Sequence, residues 1–109
     1  MDKGDYATAL KEFLPLAKQG DPLAQIFLGV MCAAGWGVPK DSKEAANWYR
    51  LAAEQGNAYA QVFLGFAYAE GHGVPQDYVE AHMWFNLAGA NGAVGSIESR
   101  DSVARMMTP

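Results

Sequence analysis

Residues 20–55, GDPLAQIFLGVMCAAGWGVPKDSKEAANWYRLAAEQ, are written again with variation at 56–91, GNAYAQVFLGFAYAEGHGVPQDYVEAHMWFNLAGAN. Seventeen of the 36 aligned positions are identical, among them Ala24/Ala60, Leu28/Leu64, Gly29/Gly65, Trp48/Trp84 and Ala52/Ala88. Gly20, Gly56 and Gly92 keep the same interval, as do Asp5, Asp41 and Asp77. Self-similarity at a fixed period of roughly 20–50 residues marks stacked units that bury their apolar faces against one another. The expected architecture is a short solenoid.

Each unit holds two helical segments separated by a Gly/Pro loop, GWGVPKD at 35–41 and GHGVPQD at 71–77. Pro39 and Pro75 cannot extend a preceding helix and hold the residue before them extended. Asp41 and Asp77 follow at N-cap positions, with Glu44 and Glu80 three residues on, the spacing of a reciprocal capping box. Gly20, Gly56 and Gly92 close the units in the left-handed conformation that ends helices, and Asp21 and Asn57 are the next caps. Six helices result, over about 5–19, 22–34, 42–55, 58–70, 78–91 and 95–107. The odd ones are designated B and the even ones A.

On the A helices Ala24, Gln25, Leu28, Gly29 and Cys32, with Ala60, Gln61, Leu64, Gly65 and Tyr68, share one face at about 100 degrees per residue. Gly29 and Gly65 each sacrifice roughly 1 kcal/mol of helix propensity relative to Ala, which implies close approach of a neighbouring helix. On the B helices Ala45, Trp48, Tyr49 and Ala52, with Ala81, Trp84, Phe85 and Ala88, alternate large and small groups on one stripe, a pattern for interlocking layers.

The chain has 109 residues, half of them hydrophobic and 18% charged, enough for one domain with a packed core. Its net charge is −4 with eight dispersed Lys and Arg, so the basic footprint for nucleic acid is missing. No run is long enough to cross a bilayer. Cys32, the only cysteine, excludes an internal disulfide and a Cys-rich zinc site, and its apolar setting indicates a structural thiol. At Met1 the chain enters the repeat partway through, which leaves room for an upstream targeting segment. The compartment is open: cytoplasmic as written, periplasmic or secreted if such a segment precedes it.

AxAQxxLG, GxGVPxD and EAxxWYxxAAxxG together closely resemble the Sel1-like repeat, a relative of the tetratricopeptide repeat. Two copies cover 20–55 and 56–91. Residues 5–19 resemble the B helix of a preceding partial unit, and 92–109 the closing segment of bacterial members, where Arg100 and Asp101 replace the Leu-Gly pair. Cys32 stands where an aromatic is typical, and Gly89 replaces the second Ala of the AA pair. The resemblance implies an all-α, right-handed solenoid of antiparallel helix pairs spanning 1–109, with A helices lining the concave side. It also implies an adaptor that binds protein or peptide without a cofactor or catalytic residues. Cysteine-rich relatives linked to β-lactam binding provide an enzymatic alternative, but they carry repeated disulfides that one cysteine cannot form.

The A-helix face opposite the consensus is unexpectedly apolar. It carries Ile26, Phe27, Val30 and Ala34, then Val62, Phe63, Phe66 and Glu70. It is either a groove for an amphipathic helix or extended peptide, a surface for self-association into a homo-dimer, or the seam where neighbouring A helices cover one another. Trp36 and His72 occupy the variable loop tip, as partner anchors or packed on their own loop. His72 and His82 have no cysteine partner, and the acidic residues nearby have capping roles, so no metal site is expected. GWGVPK lacks the P-loop context. Ser42, Ser96, Ser99, Ser102 and Cys32 show no neighbouring base at a recognisable spacing, so no catalytic residues are expected.

Overall fold

The structure, a computed structural model, describes residues 3–93 and 95–107, with only the backbone of Lys3, Gly4 and Ile97. Met1, Asp2, Val94, Thr108 and Pro109, which the sequence assigns to the first and last units, lie outside the described residues. Six helices follow one another: α1 (Lys3–Lys18), α2 (Pro22–Ala34), α3 (Ser42–Glu54), α4 (Ala58–Glu70), α5 (Tyr78–Ala90) and α6 (Ser96–Met107). No strand occurs among the described residues. The helices match the expected ones to within two residues at each end. Each packs chiefly on its neighbours in sequence, giving an elongated array of 48 × 24 × 20 Å.

Local chemistry sets the boundaries. Asp21 and Asn57 accept hydrogen bonds from the amides of Ala24 and Ala60 at 3.1 and 3.0 Å, each satisfying one otherwise orphaned helix N–H. Asp41 accepts from Glu44 N–H at 3.1 Å, and Asp77 from Val79 and Glu80 at 3.0 and 3.2 Å. Only this half of the expected capping box forms among the described residues. The reciprocal donors are already engaged: Asp41 N–H goes to Cys32 C=O at 2.8 Å and Asp77 N–H to Tyr68 C=O at 2.9 Å. The cap thereby ties the start of each B helix to the end of its A helix. At the end of α3, Gly56 has φ +93°, its N–H meets Ala53 C=O at 3.0 Å, and Asn57 N–H reaches Ala52 C=O at 3.3 Å. This is the paired carbonyl closure of a left-handed helix end, one residue beyond Gln55, and it recurs around Gly20 and Gly92.

The core consists mostly of small residues under large rings. Ala52, Ala60, Ala81 and Ala88 are completely buried, as are Leu64 and Phe85. A Cβ placed on Gly65 would stand 2.7 Å from Cε1 of Phe85, and one on Gly29 would collide with the Tyr49 ring. The two glycines therefore let the B-helix ring of the same unit lie against the A-helix backbone. A third close approach joins successive units. Gly73, at φ +78°, has no room for a side chain because the carbonyl of Ser42, in the preceding B helix, fills the space.

A polar ladder threads the core at the same period. Gln25, 4% exposed, donates to Ala17 C=O at 3.1 Å and accepts from Gln55 Nε2 at 2.9 Å. Gln61, 1% exposed, donates to Ala53 C=O at 3.1 Å and accepts from Asn91 Nδ2 at 3.0 Å. Each buried amide thus clips the end of the preceding B helix to the end of its own, leaving no orphaned polar group at that junction.

Gly65→Ala is expected to lower unfolding stability by about 1–3 kcal/mol despite the better helix propensity of alanine, because overpacking against Phe85 outweighs it. Urea unfolding of the single variant and of Gly65→Ala in a Phe85→Leu background checks this: the penalty should shrink once the ring is gone.

Candidate protein-binding groove

Several of the expected binding residues lie at the seam between α2/α3 and α4. A groove of about 280 Å³ opens there, with the rings of Tyr49, Phe63 and Phe66 and the small side chains of Ala33, Ala45 and Ala67 among its walls. Lys40, Ser42 and His72 are its polar groups. A second groove, of about 380 Å³, lies one unit on, where Ala69, Gln76, Tyr78, Phe85, Ser99, Ser102 and Val103 take part in the lining. These are the residues 36 positions after Ala33, Lys40, Ser42, Tyr49, Phe63, Phe66 and Ala67. The grooves are one feature repeated at the pitch of the array. In the last unit serines at 99 and 102 replace the two phenylalanines, so the second groove has a more polar wall.

The ten expected residues separate into distinct environments. Phe63 and Phe66 are 39% and 44% exposed and line the first groove together with His72. Phe66 and Glu70 also line the second. Ala34 is exposed. Ile26 and Val30 are half-buried against the core cluster around Ala45 and Tyr49, and Val62 against the cluster of Ala81, Phe85 and Val103. Phe27 is half-buried with its ring 4.6 Å from that of Phe13. Phe63 makes the equivalent contact with Tyr49, centroids 5.0 Å apart. These rings therefore stack on the B helix of the preceding unit, not along a row of A helices. Phe66 meets Phe85 edge-on at 4.9 Å.

At the loop tips, Trp36 is 44% exposed and lies flat on Tyr6 of α1, centroids 5.7 Å apart and 9° between planes. Its support comes from the preceding B helix and not from its own loop. His72 Nε2 is 2.9 Å from Glu70 Oε2, both side chains being well exposed, a surface pair of little energetic weight. No group of three or more His, Cys, Asp or Glu among the described residues is placed to hold a metal ion. Tyr49 and the alanines around it form part of the groove wall although the sequence pattern marks them as core. The alternation of large and small residues along the B stripe was their signal, because a ring over small neighbours leaves space on one edge.

The sequence profile of the Sel1 repeat matches residues 22–57 and 58–92. The chain belongs to the Sel1 repeat family. Sel1 repeat proteins are generally protein-interaction scaffolds, and their fold is typically non-catalytic. Among solved structures, this Sel1 repeat chain is similar to c5321, a protective antigen present in uropathogenic Escherichia coli strains displaying an SLR fold. The TM-score is 0.94 at 39% identity, over 98% of this chain and 23% of that one. It is also similar to a Sel1 repeat protein from Oxalobacter formigenes, with TM-score 0.82 and 38% identity over 85% of this chain and 70% of that one. The chain thus spans less than a quarter of the antigen's length. No curated protein matches it. No helix among the described residues is long and apolar enough to cross a membrane.

Two titratable groups of this Sel1 array respond to the packing. Burial, reinforced by the carboxylates of Glu44 and Asp41, raises the Cys32 thiol above its ordinary value, which keeps it protonated and a poor nucleophile at neutral pH. Burial, with a smaller contribution from Cys32, pushes Tyr49 up to about 12. A phenol whose folded-state pKa is raised supports the fold fully below its unfolded value of about 10 and loses that support as pH climbs through the folded value. Absorbance titration should therefore show one of the five tyrosines ionising near pH 12, together with falling stability. Tyr49→Phe should remove both that last step and the part of the alkaline loss due to it.

Proposed function

We propose that this chain is a protein-binding adaptor that holds a polypeptide segment along the A-helix side of the array, with no cofactor and no chemistry of its own. In this reading residues 5–19 supply the second half of a preceding unit, the repeats at 20–55 and 56–91 carry the grooves, and 92–109 closes the stack. The observation that carries the proposal is the recurrence of one ring-walled groove at the 36-residue repeat. A periodic pair of apolar hollows with polar edges suits a ligand that is itself extended, and polypeptide lying in a helical groove is the common case.

Phe63, Phe66, Glu70 and His72 are the proposed contact side chains, with Ala34 and Trp36 extending the surface. Ile26, Phe27, Val30 and Val62 back it from below. The non-enzymatic reading is supported by the polar groups of the groove. Of the groups that line the first hollow with Ser42, Lys40 is an ammonium and the His72 imidazole is turned to Glu70.

Phe66→Glu places a charge on a 44% exposed position, so helicity should be kept, while loss of the edge-on contact with Phe85 should cost about 1 kcal/mol of stability. Binding to peptides selected on the wild-type protein should weaken at least about tenfold, as expected for a central aromatic anchor. Unchanged affinity in a folded variant would remove this face from consideration. Light scattering at several concentrations separates the other occupant, a second copy of the chain, which would reveal itself as a mass that rises with concentration and falls in Phe66→Glu.

A further inference from the structure

The two full units differ in side-chain volume at several positions, and at one of them the smaller residue lines a hollow. Cys32 corresponds to Tyr68, and Leu14 to Arg50. In the second unit the Tyr68 ring packs on the core clusters around Leu64, Trp84 and Phe85. Arg50 stands over it with Cζ 5.6 Å from the ring centroid and donates a short hydrogen bond to its hydroxyl. In the first unit the thiol of Cys32 replaces that ring, and the structure there holds a cavity of about 390 Å³. Its walls include Leu14, Leu28 and Trp48, the counterparts of Arg50, Leu64 and Trp84. The pit is bounded by parts of α1, α2, α3 and the loop at 38–41 and opens to solvent on one side, as the two grooves do. Its size lies in the range of small-molecule sites, and it has the apolar lining with few polar groups that such sites share.

We propose that this pit is a binding site for a small aromatic molecule of about the size of a phenol, seated on Leu28 and Trp48 where the sister unit seats its own tyrosine ring. The sister unit argues for the aromatic class: the same backbone frame already accommodates a six-membered ring between helices. Leu14 in place of Arg50 removes the cationic partner of the ring hydroxyl, so the floor selects for apolar shape. The rim has Asp41 and Glu44 against one ammonium, Lys40. Two carboxylates against one ammonium place the pit in a negative local potential, and the same carboxylates add to the burial that raises the Cys32 thiol. That potential favours neutral or cationic ligands and disfavours aryl carboxylates. Only Lys40 lines both this pit and the first groove.

The test titrates the whole chain with p-cresol, the side-chain analogue of tyrosine, following the three indole N–H resonances by NMR. The expected result is a saturable shift of the Trp48 resonance, with Trp36 unmoved as an internal reference. Tyramine should bind at least as tightly as p-cresol, and 4-hydroxyphenylacetate at least about threefold more weakly, the direction set by like-charge repulsion. Cys32→Tyr should fill the pit from within and weaken p-cresol at least about tenfold, as apolar cavities bind ligands only while they are empty. It should also raise the midpoint of thermal unfolding. Should Cys32→Tyr not fold, Cys32→Tyr with Leu14→Arg rebuilds the Arg50–Tyr68 pair found one repeat on, and the wild-type titration stands by itself. No saturable shift at Trp48, undiminished p-cresol binding in a folded Cys32→Tyr, or a reversed order of ligand charge would overturn the proposal.

Discussion

The array depends on how closely a B-helix ring can approach an A-helix backbone. Tyr49 over Gly29 and Phe85 over Gly65 occupy space that any Cβ would invade. The completely buried alanines at 52, 60, 81 and 88 surround those contacts with the smallest side chains. The core is consequently one in which a few large rings meet backbone and methyl groups. The other periodic features follow from that approach. The loops must turn sharply enough to bring ring and glycine together, and Gly73 must lie on the Ser42 carbonyl to join one unit to the next.

The polar ladder gives the stack its register. An apolar interface of alanines tolerates sliding, because methyl against methyl is nearly featureless. Gln25 and Gln61 remove that freedom. Each has its amide group committed to two partners at about 3 Å, and a shift of one residue would leave a buried donor or acceptor unmet, at about 1–3 kcal/mol. The caps act in parallel, since Asp41 and Asp77 hold the B-helix start through the side chain and the A-helix end through the amide.

The fold was legible because its determinants are local and repeated. Identical spacing of Gly, Pro and Asp marks the helix bounds, and a glycine in the middle of an apolar helix marks the close contact. The role of Gln25 and Gln61 was not legible: they stood on the consensus face, but a single chain does not say which carbonyl a buried amide will meet. The capping box was half wrong for a similar reason, because the competing carbonyls of Cys32 and Tyr68 lie on the preceding helix and come into reach only once the loop has folded. For the groove, the sequence marked Phe63, Phe66, Glu70 and His72, which do line it, alongside Ile26, Phe27, Val30 and Val62, which are half-buried beneath. Helical angle alone does not distinguish a face turned to solvent from one leaning on the preceding unit. The pit around Cys32 was visible in the sequence only as a departure from the repeat, and its consequence required the positions of Leu14 and Trp48.

The ring-on-glycine contact also governs geometry beyond a single unit. The thickness of an aromatic ring is the spacer between the two layers of helices, and no flexible side chain lies between it and the backbone on the A side. The separation of the two helices within a pair is thereby tied to the size of one residue per repeat. A longer array built on this pattern would inherit its thickness from that residue, so exchanging a few rings for smaller groups would draw the two layers together without altering any helix.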